Sequence, residues 1–194
     1  SAANQVGKTV PKFVRREFEK YLACGILENG FVRVYCHQCR HEKVVAFSCK
    51  CRGFCPSCTA RRMNDLAFHI VNKVLPEKVD VRQWVLSMPY TVRFVLAHKP
   101  KVTCKVLKIF TRTISAWLKN KAKHELSISA QDLKTGAITF IQKAGDAANA
   151  NTHYHTLFCS GVCYEKDGKC LWHVVEAPTT EEQKKLVVKL MLTI

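Results

Sequence analysis

Two cysteine pairs, Cys36-x-x-Cys39 and Cys55-x-x-Cys58, with residues 40–54 between them, constrain what this chain can fold into more than any other feature. Each pair fits a tight knuckle with both thiolates facing inward. Two such knuckles brought together complete a tetrahedron of sulfur around zinc. Residues 31–35 and 43–47 read as short strands, and Gly53 and Pro56 mark turns, so the spacing predicts a zinc ribbon. A site closed by four thiolates leaves no position for water or substrate, so its contribution is folding free energy and not catalysis. Cys24, His41, Cys49 and Cys51 lie close enough in sequence to replace one of these ligands or to hold a second zinc. The eleven cysteines are an odd number, and those from Cys24 to Cys58 crowd together. With no secretory signal in view, the pattern predicts a reducing cytosol and metal ligation in place of a disulfide framework.

Charge adds a partner. Lys and Arg number 31 against 15 Asp and Glu, a formal +16 in 194 residues. That surplus calls for a polyanion, nucleic acid before an acidic membrane. Lys50, Arg52, Arg61 and Arg62 flank the second knuckle around Phe54, a combination suited to phosphate and base contacts. The bland reading is a solvated knuckle with Phe54 inside. No apolar run approaches the length of a membrane span.

Residues 11–24 carry Phe13, Phe18, Tyr21 and Leu22 near helical spacing, and residues 56–75 repeat the pattern with Met63, Leu66, Ile70 and Val74. A polar break at 76–80 divides a zinc-binding, DNA-binding domain, 1–76, from a second domain, 81–194. The second domain reads as a strand at 81–88, a long helix at 101–125 with a lysine-rich surface, and a strand at 137–142. Next comes a histidine strand running to Cys163, which Asp167-Gly168 turns into a partner strand around 171–175. Thr179 with Glu182 forms a capping box for a last helix. This order predicts an α+β fold, an antiparallel sheet with helices packed on it. Within the histidine strand, His153 and His155 share a face while Tyr154 points the other way. Two neutral imidazoles side by side suit a divalent metal; a solvated polar face is the ordinary alternative.

A family resemblance joins these parts. Cys24-Gly25 through Gly30-Phe31-Val32-Arg33, Val45-Ala46-Phe47-Ser48-Cys49-Lys50, Arg52-Gly53-Phe54-Cys55-Pro56-Ser57-Cys58 and Ala60-Arg61-Arg62-Met63 resemble the zinc-binding domain of rolling-circle insertion-sequence transposases. Arg82-Gln83-Trp84-Val85-Leu86-Ser87, Ile141-Gln142-Lys143 and Asn151-Thr152-His153-Tyr154-His155 resemble their HUH nuclease domain. The resemblance implies a transposase that nicks and rejoins single-stranded DNA by metal-assisted tyrosine attack, leaving a 5′-phosphotyrosine. It implies His153 and His155 as ligands of Mg or Mn, a third ligand among Gln142, Glu125, Asp146 or a residue after Ile194, and a structural Zn. It also implies single-stranded or hairpin element ends as partner, and a bacterial cytoplasm and nucleoid as location. The family's nucleophile lies on a helix past the histidines, beyond Ile194, so a piece ending there is expected to lack cleavage activity. The competing reading is a non-catalytic zinc-ribbon module that binds nucleic acid, its histidines idle. Oligomeric state is left open.

Overall fold

The computed structural model describes residues 10–51, 55–75, 77, 79–144 and 150–194. The chain divides into two compact units, Ser1–Pro76 and Glu77–Ile194.

In the first unit, α1 (Lys12–Leu22) ends at Ala23, and Gly25 takes a left-handed φ of 77° that turns the chain out of the helix. The Gly25 amide donates to the carbonyl of Phe47 at 3.0 Å. Strands β1 (Phe31–Tyr35) and β2 (Glu42–Ala46) pair antiparallel from Phe31↔Ala46 to Tyr35↔Glu42. Helix α2 (Pro56–His69) follows, with proline in its first turn, where the missing amide hydrogen is no loss, and a wider π turn, Ile70–Val74, ends it. Apolar burial here is slight. Helix α1 and strand β1 bury no residue, and Cys51, Cys55 and Ile70 are the buried apolar residues among those described in this unit.

The second unit is built on β3 (Val81–Ser87), β4 (Ala137–Ala144) and β5 (Ala150–Cys159), in the order β3-β5-β4, with both pairings antiparallel. The histidine strand β5 is therefore central. Its even residues, Thr152, Tyr154, Thr156 and Phe158, are fully or almost fully buried. They face a core supplied by α3 (Tyr90–His98), the 27-residue α4 (Pro100–Leu126) and α5 (Thr180–Thr193), through Leu96, Val106, Phe110, Ile114, Leu118, Leu186 and Leu190. Tyr154 donates its hydroxyl to the Thr103 carbonyl of α4 at 3.1 Å, so its polar tip is satisfied inside the core. Its thiol neighbour Cys104 adds to burial, the larger effect, in pushing the phenol up to about 12. The opposite face of the sheet is open: Val85 is 52% and Phe140 39% exposed.

Two local expectations need correction, and one segment gains an element. The histidine strand does not run unbroken to Cys163. It stops at Ser160, whose amide donates to Asp80 at 2.7 Å, and the chain restarts as β6 (Gly161–Lys166), paired with β7 (Lys169–Val174) in a separate hairpin closed by left-handed Asp167 and Gly168. Residues 90–98, which the sequence assigned to no element, form a helix. Cys163 and Cys170, expected as free thiols, are joined by a disulfide across that hairpin, running diagonally on one face between the Cys163↔Trp172 and Glu165↔Cys170 rungs.

Gly161 is fixed by packing: a Cβ there would run into the His173 carbonyl oxygen. Gly161→Ala is therefore expected to destabilise the second unit by about 1–3 kcal/mol, read as a lower Tm with the first unit unchanged. An unchanged Tm would show that β7 yields at no cost.

Candidate functional site

Local turns carry four sulfurs to one point in the first unit. Cys24 follows the end of α1, Cys49 follows β2, and Cys55 and Cys58 occupy the N-cap and first turn of α2. Their Sγ atoms lie within 4.8 Å of one another, the one such group among the described residues. Cys24 to Cys58 is 3.6 Å, Cys24 to Cys55 is 3.6 Å and Cys49 to Cys58 is 3.7 Å. A zinc ion about 2.3 Å from each of four sulfurs sets them about 3.8 Å apart, so the cluster has the dimensions of a tetrahedral thiolate site.

Backbone donors fit the same chemistry. The Cys49 amide donates to Cys24 Sγ at 3.3 Å, and the Cys51 amide to Cys49 Sγ at 3.4 Å. Lys50, held at a φ of 54°, turns its amide toward Cys58. That amide is the largest influence on Cys58, which with its thiol neighbours' help falls to about 7 despite burial. Cys24 also receives an amide, from Cys49, but burial and the sulfurs of Cys49, Cys58 and Cys55 outweigh it and push the thiol up to about 12. Like groups this close cannot all ionise without a cation between them. The helix N-terminus under Cys55 and Cys58 favours negative sulfur as well.

Spacing predicted a different foursome. Cys55 and Cys58 are in the cluster, but Cys36 and Cys39 are not: both are exposed in the loop between β1 and β2. The cluster lies beyond the Phe31↔Ala46 end of the hairpin, where Gly25 and Phe47 meet, and the Cys pair lies beyond the Tyr35↔Glu42 end. Five residue pairs of strand separate them, about 16 Å. Cys24 and Cys49, two of the alternates, take the vacated corners. Cys51 is buried beside them but turns its thiol to the Cys49 carbonyl at 3.5 Å and toward the Glu17 carboxylate. His41 belongs to the hairpin tip. Of the expected DNA contacts, Lys50, Arg61 and Arg62 are exposed, and Arg62 donates to the Lys50 carbonyl at 3.4 Å, bracing the cluster loop. Arg52, like Asp146, lies outside the described residues.

In the second unit, His153 and His155 project side by side from the open face of β5, ring centroids 4.8 Å apart at 67°. Cross-strand register places Ser87 and Gln142 directly opposite His153, and Val85 and Phe140 opposite His155. The Nδ1 of His153 donates to the Asn151 carbonyl at 2.7 Å, which fixes the proton there and leaves Nε2 as a free lone pair. His155 Nδ1 meets the Gln83 side-chain amide at 2.9 Å. The amide nitrogen stands at that contact, so Gln83 donates, His155 Nδ1 accepts, and the proton of the neutral ring is on Nε2.

Gln83 and Asn151 were missed as site residues. The signal that finds them is strand pairing: Gln83 shares the face of Val85 and Ser87, and Asn151 that of His153. The Asn151 side-chain oxygen is buried with no partner among the described residues. Glu125, another expected ligand, is committed elsewhere, accepting from His173 Nε2 at 2.6 Å.

No helix of the described residues is long and apolar enough to cross a membrane. None of the curated proteins and none of the solved structures matches the chain. Residues 1–88, which hold all four clustered cysteines, match the model of the family described as the transposase zinc-binding domain.

Proposed function

We propose that this chain is part of a rolling-circle transposase of the HUH nuclease class, which nicks and rejoins single-stranded DNA by metal-assisted tyrosine transesterification. The observation that supports the reading best is the pair His153 and His155 on the uncovered face of a central strand, in a chain whose first 88 residues match a transposase zinc-binding family. On this reading 1–76 is the zinc-binding, DNA-binding domain and 81–194 the nuclease domain.

Cys24, Cys49, Cys55 and Cys58 would hold a structural Zn, which supplies folding free energy and no reaction step. His153 would hold Mg or Mn through its free Nε2, and His155 would do so through Nε2 once the Gln83 amide turns its oxygen to Nδ1, with Gln142 opposite His153 as an oxygen donor. Such an ion supplies Lewis-acid polarisation of a phosphoryl oxygen and orientation of the scissile phosphate. Asn151 and Gln83 set the tautomer and direction of the two rings. Tyr154 is not the nucleophile: its hydroxyl is bonded to Thr103 on the far side of the sheet. The attacking hydroxyl must reach the open face, where Phe140 and Val85 offer apolar surface to a base. Lys50, Arg61 and Arg62 would contact phosphates of single-stranded or hairpin ends.

The test is cleavage of single-stranded DNA with Mn by the chain carrying the tyrosine helix that the resemblance implies, followed by digestion to find a tyrosine-linked product. A DNA complex that forms but yields neither nick nor adduct would favour the non-catalytic binding module. Gln83→Ala is expected to weaken Mn binding about 10- to 100-fold and leave the fold intact, read by titration calorimetry and circular dichroism. Unchanged affinity would show that Gln83 does not orient His155.

A further inference from the structure

We infer that the β1–β2 hairpin tip is a second metal site, independent of the four-cysteine cluster, in which Cys36, Cys39 and His41 take one soft divalent ion such as zinc. The tip reads Cys36-His37-Gln38-Cys39-Arg40-His41, two thiols and two imidazoles within one loop. The loop has a defined turn. The Arg40 amide donates to the Cys36 carbonyl at 2.8 Å, the Cys36 amide donates to the His41 carbonyl at 2.9 Å, and Arg40 takes a left-handed φ of 58°. This is a knuckle, in which a tight turn aims both sulfurs of a Cys-x-x-Cys pair to one side.

Backbone donors converge on the Cys36 sulfur. Amides of Cys39 and Gln38 and the Cys39 thiol bond to its sulfur and hold it below the usual thiol range. No carboxylate is needed to ligate here, and the sulfurs are not committed elsewhere: both cysteines are free and exposed. Within the loop the two imidazoles differ. His37 is packed edge-on against Tyr35, ring centroids 5.1 Å apart. His41 is tied to Cys36 through its backbone and leaves its ring exposed. Its imidazole is not yet gathered with the two sulfurs, so binding closes the site by turning an exposed side chain. Three protein ligands leave one tetrahedral position open, unlike the closed cluster. The ion at the tip is therefore held less tightly and exchanges first. About 16 Å of hairpin prevents the two sites from sharing an ion.

Cobalt(II) titration of the whole chain after metal removal, followed by absorbance of the thiolate–cobalt bands, tests this. Two equivalents per chain are expected, the weaker one removed by a mild chelator while the tighter one stays. Cys36→Ser with Cys39→Ser is expected to bind one equivalent and keep the circular dichroism of the native protein. His41→Gln is expected to lower the affinity of the weak site at least about tenfold, and His37→Gln to leave it unchanged. A single equivalent in the native chain, or two equivalents in the double variant, overturns the site. A weak site that responds to His37→Gln and ignores His41→Gln overturns the ligand set.

Discussion

Cys58→Ser is expected to release the zinc of the four-cysteine cluster and unfold the first unit, while the second unit keeps its structure. The expectation rests on how little else holds that unit together. Helix α1 and strand β1 bury no residue, and Phe13 and Leu22 are 68% and 69% exposed. A region with so small an apolar core folds on metal: structural zinc contributes roughly 10–16 kcal/mol of apparent binding free energy, available only in the folded arrangement. The cluster joins three segments that have few other ties, the end of α1, the exit from β2 and the start of α2.

Removing Cys58 takes away the sulfur that approaches both Cys24 and Cys49, and it removes the acceptor of the Lys50 amide. Limited proteolysis should then cut within 1–76, and zinc analysis should show the loss of the tight equivalent. A strong chelator added to the native chain should give the same digest. A Cys58→Ser protein that keeps its tight zinc and resists protease would mean that the remaining three cysteines and another donor suffice.

That cluster also shows what a sequence can and cannot reveal here. Cys55-x-x-Cys58 is visible from spacing because its two ligands sit in one turn at a helix start. The other two corners are set by tertiary structure. Whether Cys24 and Cys49, or Cys36 and Cys39, meet that turn depends on which end of the hairpin faces α2, and strand pairing alone leaves both ends available. The knuckle spacing favoured the other end because Cys-x-x-Cys is a local signal and Cys24…Cys49 is not. In the second unit, alternation along Asn151–Leu157 is enough to put His153 and His155 on one face and Tyr154 in the core. It says nothing of neighbours: Gln83 reaches His155 only because β3 runs antiparallel to β5 in a register that pairs Val85 with His155. Helix α3 was unreadable for a local reason. It begins after Pro89 with no side-chain cap, buries Leu96 as its one fully buried residue, and has no amphipathic stripe long enough to stand out.

His153→Ala with His155→Ala is expected to abolish Mn binding at the open face, without unfolding the second unit, and to reduce single-strand cleavage by the chain carrying the tyrosine helix about a thousandfold or more. Both rings are partly exposed and project away from the core, whose contacts on this strand come from Thr152, Tyr154, Thr156 and Phe158. The cost to stability is accordingly small, within the range of surface substitutions. The functional cost is large because both nitrogen donors disappear together. Gln142 and Ser87, the oxygen donors left opposite His153, are exposed and neutral and cannot hold a divalent ion alone. Lewis-acid stabilisation of the transition state is worth several kcal/mol, and each 1.36 kcal/mol is tenfold in rate. Zinc at the cysteine cluster, on the other unit, should be untouched, so one sample separates the two metals. The single variants order the donors: Asn151 already fixes the His153 tautomer through a backbone carbonyl, whereas His155 depends on the Gln83 side chain. His155 is therefore the ring that Gln83→Ala disturbs, and adding Gln83→Ala to His155→Ala should cost no further Mn affinity, while adding it to His153→Ala should. Cleavage that survives the double alanine substitution would remove these histidines from the chemistry and leave the basic, zinc-folded chain as a nucleic-acid-binding protein.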